Sequence, residues 1–379
     1  MRYLIWLQLV LGAGNNKVKD ILEKFGNAKN IYKSNIKELE TSGLFTKRIL
    51  KKISETKIFE ADKIILKCKT SGIRVLTIED NNYPENLINI PNPPLVLFYK
   101  GDLPDFSNEA FVCIVGPRDV SEYGKKAAFS LSARLSRAGM IIISGGAVGC
   151  DTYAHKGALK YSNKTVLVMG CGHNYRYLPE NEKMRRLIIQ KGGCIISEYP
   201  PDTPPYGSNF PVRNRLMSSL SLGTVVIEAD SRSGALITAN HALEQGKDVF
   251  VIPGSPGKPE YIGSNALLRD GAIPLLEATD ILNEYASSFP DKINIERAYS
   301  QENNDNSIEK NTKKKKIFDI PLSKEAKMIY NQLDKPQFYP DDLDKCNLDN
   351  DEILSALIEL EISGVIRALP GGKYALVND

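Results

Sequence analysis

FVCIVGPRD, residues 111–119, is a run of five apolar side chains followed at once by a glycine, a proline and an arginine. A segment apolar at every position cannot be a strand with one wet face; it is what a strand covered by helices on both faces requires. Five more runs of this kind follow at wide intervals: MIIIS (140–144), TVLVM (165–169), CIIS (194–197), TVVIE (224–228) and DVFVI (248–252). The residues between them carry helical spacing, so strand and helix alternate from 111 to 282. Such alternation predicts an α/β fold, a Rossmann-like, doubly wound and mostly parallel sheet.

Outward from this core the chain changes character. Residues 1–66 read as a small helical domain: Gly12, Gly14, Gly26 and Gly43 separate short segments with apolar residues such as Val18, Ile21, Leu22 and Phe25 at helical spacing. The Ser42-Gly43-Leu44 turn followed by Lys47, Arg48, Lys51 and Lys52 has the outline of a SAM or helix-hairpin-helix module, although basic residues on a helix more often simply face water. In IRVLTIEDNNYPENLINIPNPPLVLFYKG (73–101), Pro84, Pro91, Pro93 and Pro94 argue for extended chain. That lead-in and the Rossmann-like part together make a domain over 67–286. Residues 287–316 are polar, end in Lys313–Lys316 and cannot bury enough apolar surface to order, so they read as a disordered linker. A flexible linker of that length spans roughly 30 Å. Residues 317–379 read as three helices and a hairpin, GVIRALPGGKYALV, the outline of a winged helix.

A length of 379 residues suits two or three domains, and 42% hydrophobic with 25% charged residues is ordinary globular usage. The net charge of +3 is mild, so any attraction to nucleic acid must come from a local patch. The apolar run Leu4–Ala13 is broken by Gln8 and lacks a basic leader beyond Arg2, which predicts a buried helix rather than a targeting signal. No stretch approaches the ~18 apolar residues of a membrane span, so a cytoplasmic protein without a membrane partner is expected. The six cysteines (68, 113, 150, 171, 194, 346) form no CxxC pair, which predicts neither a metal site nor disulfides, and no cofactor is expected.

In an open parallel sheet, ligands bind beyond the carboxyl ends of the strands. There the sequence places Gly116-Pro117-Arg118, Ser144-Gly145-Gly146-Ala147-Val148-Gly149, Gly170-Cys171-Gly172 and Pro253-Gly254. Glycines admit a ligand close to the backbone and helix N-termini offer N–H groups to anions, so these loops predict a phosphate-binding rim. None spells GxGxxG or GxxxxGK[ST], which removes the usual signatures of NAD and ATP. Arg118, Arg176, Arg213 and Arg215 accompany the loops, with Arg185 and Arg186 beyond, and the planar arginine fork suits phosphate oxygens. Tyr175 and Tyr177 lie among these cations as candidate stacking platforms, with packing an equal alternative. Glu228 with Asp230, and Asp151 with His155, have spacings that acid–base pairs use, but no nucleophile or metal set accompanies them, so helix-dipole and hydrogen-bonding roles are expected. His173 and His241 are read the same way. Ser233 and Thr238 fit helix capping as well as anion binding.

The order IVGPRDVSEYG, SGGAVGCDTYAH, GCGHNYRYLPEN, SEYP, FPVRNRLMSSLS, EADSRSGALITAN, VIPG and GSNALLRDGA, from Ile114 to Ala272, resembles the DprA/Smf family, DNA-processing protein A. The resemblance implies a protein of natural transformation that binds incoming single-stranded DNA, protects it and helps load RecA on it as a homodimer, without chemistry on the strand. It implies a phosphate-binding role for Arg118 and strand contacts in the loop carrying Arg176, Tyr177 and Asn181. Arg213, Asn214 and Arg215 match its FPxRNR motif. Gly116, Ser144, Gly145, Gly146, Gly170, Gly172 and Tyr175 complete the expected DNA- and phosphate-binding set. Two departures stand out: Val148, where many members carry Arg, and Pro117, where many carry a small residue.

The alternative is a nucleotide-processing enzyme of the related phosphoribohydrolase group, whose PGGxGTxxE signature is missing here. A duplex-binding transcription factor rests on the winged helix alone. Its third helix, expected over Asp349–Ser363, carries Asp349, Asp351, Glu352, Glu359 and Glu361 without one Lys or Arg, a surface that phosphates repel. A protein contact is expected there instead.

Overall fold

The computed structural model describes residues 1–161 and 164–299 and, toward the C-terminus, 323–333, 337–340, 343, 348, 350–362, 366–369 and 373–376. Two compact units divide the chain at Gln301/Glu302. The first opens with six helices, α1 (Arg2–Leu11), α2 (Val18–Phe25), α3 (Ala28–Lys33), α4 (Ile36–Thr41), α5 (Lys47–Glu55) and α6 (Ile58–Thr70). Strand β1 (Arg74–Thr77), helix α7 (Glu85–Asn89) and strand β2 (Val96–Gly101) come next. The alternating core then runs β3 (Phe111–Val115), α8 (Glu122–Arg137), β4 (Ile141–Ser144), α9 (Cys150–Tyr161), β5 (Thr165–Met169), α10 (Glu182–Gln190), β6 (Cys194–Ser197) and α11 (Asn209–Ser219). It continues through β7 (Gly223–Val226), α12 (Gly234–Glu244), β8 (Asp248–Val251), α13 (Ile262–Arg269), β9 (Ile273–Pro274), α14 (Ala278–Tyr285) and α15 (Ile295–Tyr299).

These strands form one sheet in the order β1-β2-β6-β5-β4-β3-β7-β8-β9, parallel from β6 to β9, with β2 antiparallel to both β6 and β1. All six apolar runs are strands of it. Period-two alternation sends their side chains to two cores. Phe111, Cys113 and Val115 of β3 join Leu216, Met217 and Ala239 from α11 and α12 on one face. Val112 and Ile114 join Leu131, Leu135 and Ala154 from α8 and α9 on the other.

The lead-in differs from the extended reading at Pro84, which begins α7 instead of excluding a helix. Proline lacks only an N–H that a first turn leaves unpaired anyway. The expected boundary near residue 66 is no gap either. The N-terminal helices do have their own hydrophobic cluster, around Trp6, Leu7, Ile21, Ile31 and Leu39, but Leu95, Val96 and Phe98 of the sheet edge belong to it. Gln8, the polar break in the first apolar run, is the rivet. Its Oε1 accepts from Val96 N at 2.7 Å, and its Nε2 donates to Val96 O at 3.0 Å and Glu198 O at 2.6 Å. Residues 287–299, assigned to the linker from their polarity, are folded: Ile293 and Ala298 are buried against the α8 side, and Asn294 N donates to Ala138 O at 2.8 Å. Sparse apolar residues at the right positions outweigh a polar average. The rest of that segment, 300–316, lies outside the described residues.

The second unit holds α16 (Lys324–Gln332), β10 (Gln337–Phe338), α17 (Asn350–Ile362), β11 (Ile366–Leu369) and β12 (Lys373–Leu376). Its sheet order is β10-β12-β11, around a cluster that includes Ile329, Leu357 and Leu360. The expected acidic third helix is α17, but Glu359 is partly engaged, accepting from Ser323 N at 2.7 Å and Ser323 Oγ at 2.5 Å ahead of α16. The middle helix of the expected three falls mostly on residues outside the description. Among the described residues no helix is long and apolar enough to cross a membrane.

Where the first unit's parts converge, Arg215 Nη2 reaches Glu198 Oε1 and Oε2 at 2.9 and 2.8 Å, and both side chains are only 2% exposed. Removing one partner of a buried pair strands the other charge, at about 3–5 kcal/mol. Arg215→Met should therefore lower the unfolding free energy of the first unit by that amount in chemical denaturation, and adding Glu198→Leu should restore much of it. A loss below about 1 kcal/mol for the single change would contradict an uncompensated buried carboxylate.

Candidate functional site

From β3 the chain steps outward to β4, β5 and β6, then returns past β3 to β7 and steps the other way. Connections that diverge from neighbouring strands leave a crevice between them, the topological switch point. A cleft of about 450 Å³ lies there, lined by Gly116, Pro117, Arg118 and Asp119 after β3, Ala147 and Asp151 before and in α9, Phe210, Arg213 and Asn214 of α11, and Asp230, Ser233, Gly234 and Thr238 around the start of α12. Ser233 caps α12, its Oγ accepting from Ala235 N at 3.3 Å. Two polar atoms of the wall, Arg213 Nε and Thr238 Oγ1, are buried and have no hydrogen-bond partner among the described residues. Buried polar atoms without partners are rare, and here both belong to residues that line the cleft.

On the lip of the cleft stands Arg118. It is exposed, its guanidinium lies 5.6 Å from the centre of the Phe210 ring, and its Nη2 donates to Tyr177 Oη at 3.4 Å. Tyr177 in turn packs on Phe210 with ring centres 5.4 Å apart. The neighbouring Tyr175 is 44% exposed and Arg176 is exposed. Cation and rings thus form one surface. The loop holding them is fixed at its base: His173 Nε2 bonds Phe98 O at 2.9 Å, and Asn174 N donates to Pro201 O at 2.8 Å. Burial pushes the His173 imidazole down to about 4, so it is neutral near pH 7. The opposite end turns at Leu178, whose φ of 48° is left-handed and costs a non-glycine residue about 1–2 kcal/mol. Arg185 Nη2 bonds the Leu178 carbonyl at 3.1 Å and pairs with Glu182 at 3.0 Å, so Arg185 braces the loop, while Arg186 pairs with the same Glu182 at 3.0 Å along α10.

The remaining expected site residues lie beneath the rim. Ser144 is fully buried, its hydroxyl donated to Ile114 O at 2.8 Å. Asn181 is buried, its Nδ2 bonded to Gly146 O at 3.1 Å and Thr152 Oγ1 at 3.0 Å. Arg213, also buried, donates from Nη1 to Gly145 O at 2.9 Å and to Val168 O, and burial lowers its pKa against the pull of Asp151. Asn214 reaches Gly234 O at 3.4 Å. Arg215 belongs to the Glu198 pair and does not reach the cleft. Ser144, Asn181, Arg213 and Arg215 are thus engaged by protein partners beneath the rim.

The glycines of the rim have packing reasons of their own. A β-carbon would strike Cys150 Sγ at 2.6 Å from Gly116, the Arg213 guanidinium at 2.6 Å from Gly145, a Leu167 methyl at 2.5 Å from Gly146, Phe210 at 2.8 Å from Gly170, and the Pro200 and Pro201 carbonyls at 2.2 Å from Gly172. Protein atoms already fill the space that each missing side chain leaves. The sharpest case is Gly149, with φ +83° and the Arg118 carbonyl oxygen 2.2 Å from its would-be β-carbon. That contact seats the Arg118 loop. Phe210 is absent from the expected site; its signal in the sequence is an aromatic three places before Arg213 in FPVRNR.

The acid–base spacings do not become pairs. His155 Nδ1 bonds Thr165 Oγ1 at 2.9 Å and burial lowers the ring to about 3, while Asp151 accepts from Ala147 N at 3.1 Å and burial raises its carboxyl. Glu228, fully buried, accepts from Ser121 N at 3.0 Å, Ser121 Oγ and Tyr261 Oη at 3.1 Å. Among the described residues no group of three His, Cys, Asp or Glu is arranged to hold a metal.

Comparison with known proteins places this geometry. The sequence model of DNA recombination-mediator protein A matches residues 74–286. DNA processing protein DprA of Bacillus subtilis is 37% identical over 59% of this chain and 74% of its own length, and that of Streptococcus pneumoniae 36% over 60% and 79%. Protein Smf of Borreliella burgdorferi is 34% identical over 74% of this chain and 88% of its own. The X-ray structure of the Streptococcus pneumoniae protein superposes with a TM-score of 0.65 at 30% identity, over 75% of this chain and 98% of that one. A Helicobacter pylori DNA processing protein A structure, described for its single-stranded-DNA binding mode, superposes at 0.51 and 30% identity, over 57% and 97%. The chain belongs to the DprA/Smf family of DNA processing proteins.

Proposed function

We propose that this chain binds single-stranded DNA along the carboxyl edge of its sheet and serves recombination by protecting the strand and handing it to RecA, acting as a homodimer in the cytoplasm during DNA uptake. The observation that carries the reading is the surface where exposed Arg118 rests on Phe210 and bonds Tyr177 beside exposed Tyr175 and Arg176. Phosphates want a fixed cation, and unpaired bases want a ring to stack on; this lip offers both within one loop pair. The Helicobacter pylori relative, described for single-stranded-DNA binding, supports the same ligand here. The name of the matching family, a recombination mediator, supports the delivery to RecA. Free, buried thiols at the five described cysteines suit a reducing compartment.

The reading includes no chemistry on the strand. Glu228, the carboxylate on which a phosphoribohydrolase alternative would depend, is enclosed and satisfied by Ser121 and Tyr261. The α17 surface, with Glu352 and Glu361 exposed and no Lys or Arg between Asn350 and Ile362, suits a protein contact rather than a duplex groove.

Anisotropy titration of a labelled strand of about 30 nucleotides across a salt series tests the rim. Arg118→Ala should weaken binding by about 1.5–3 kcal/mol at low salt and flatten the log–log salt dependence by about 0.7. Tyr175→Ala should cost about 1–3 kcal/mol with the salt slope unchanged, since stacking releases no counterions. Equal affinity of both variants and the parent would remove the rim as the binding site. A chain ending at Gln301 should bind the same strand, and its duplex, within about twofold of the full chain; a larger loss of duplex binding would give the C-terminal unit a DNA role.

A further inference from the structure

The mild net charge of the chain hides an asymmetry. Residues 1–72 hold fifteen Lys and Arg against seven Asp and Glu, while the whole chain nets only +3, so everything after them is net acidic. The positive charge is therefore concentrated in the N-terminal helices, away from the cleft already described.

Helix α6 gives that charge a form. Ala61 and Cys68 face the N-terminal core. On the outer side Phe59, Lys63, Leu66 and Lys67 succeed one another at spacings of four, three and one, which place them along one face. Phe59 is 59% and Leu66 64% exposed, large apolar side chains that the fold leaves in water. Lys63 Nζ lies 4.9 Å over the Phe59 ring and pairs with Glu60 at 2.9 Å. An exposed ring interleaved with lysine repeats the chemistry of Tyr175 and Arg176.

The two surfaces also touch. Lys67 forms an ion pair with Asp202, whose other oxygen accepts from Asn174 Nδ2 at 3.1 Å, and Asn174 directly precedes Tyr175. The carboxyl end of α6 is thus tied to the foot of the strand-contacting loop. From Lys67 back to Phe59 the helix runs about 12 Å.

We propose that the outer face of α6 is a second single-strand contact, continuing the path from the Tyr175–Arg176 loop onto the N-terminal helices, with Phe59 stacking a base and Lys63 and Lys67 holding phosphates. The inference rests on the rim reading and lengthens its footprint. A second copy of the chain fits this face poorly, because a two-fold contact would set the same lysines against each other.

The test compares oligo-dT of about 6 nucleotides, enough to occupy the rim, with about 30, for the full chain, Phe59→Ala, Lys63→Gln and Arg118→Ala. Phe59→Ala should weaken the long strand roughly fivefold to a hundredfold and leave the short one unchanged. Lys63→Gln should lower the salt slope for the long strand alone by about 0.7. A long strand carrying 5-bromodeoxyuridine, irradiated and analysed by mass spectrometry, should crosslink to the 57–70 peptide. If the parent binds and Arg118→Ala weakens it while both α6 variants match the parent at each length and no crosslink forms, the α6 path is wrong and the rim stands. Should Phe59→Ala change only the oligomeric state, the face belongs to a second copy and the proposal also fails. No binding by the parent would overturn the rim reading itself.

Discussion

The first unit is organised around a pair of charges that water does not reach. Arg215 from α11 and Glu198 just after β6 are both buried, and the carboxylate also accepts from Gly14 N at 3.3 Å, in the turn after α1. One ion pair therefore joins the helix that walls the cleft, the strand that ends beside it and the turn that anchors the N-terminal helices. Gln8 lies one contact away, donating to the Glu198 carbonyl. Such a pair adds little net stability over an apolar substitute, but it tolerates almost no displacement, because any shift leaves a charge in a medium that cannot solvate it. Its effect is positional. Arg213, two residues earlier on α11, inherits that fixed placement and holds the Gly145 and Val168 carbonyls under the cleft.

A rigid floor explains why the exposed part of the site can be so small. Of the expected DNA- and phosphate-binding set, Arg118, Tyr175 and Arg176 are the exposed members; Phe210 and Tyr177 back them, and the buried set beneath holds the loops to one another. Side chains preorganised by packing lose less freedom on binding than long cations on a mobile surface. Loops seated on Gly149, Asn181 and Arg185 supply that preorganisation.

The sheet was legible in the sequence because six buried strands leave an unmistakable signature, apolar at every position, and because the ordering of β-α units leaves few topologies open. The cleft lies where that topology places a crevice. The role of each residue was not legible in that way. Whether an arginine faces solvent or a buried carboxylate depends on partners distant in sequence: Arg118 and Arg215 look alike in one dimension, and Glu198 separates them. Glycine loops were ambiguous for a similar reason, since a residue that lets a ligand approach equally lets Arg213 or a proline carbonyl approach. The edge of the fold at 287–299 was hidden by composition, where Ile293 and Ala298 among polar neighbours suffice to dock the segment.

Asn181 has a consequence for how this family can be recombined. Its amide bonds the carbonyl of Gly146 in one loop and the hydroxyl of Thr152 in the next helix, while itself ending the loop that carries Tyr175. The two loops are thereby one part. A chimera that imports the 172–178 sequence of a relative must import a matched Asn181–Thr152 pair with it, whereas Tyr175 and Arg176, which have no such obligations, are free to vary between hosts without disturbing the frame.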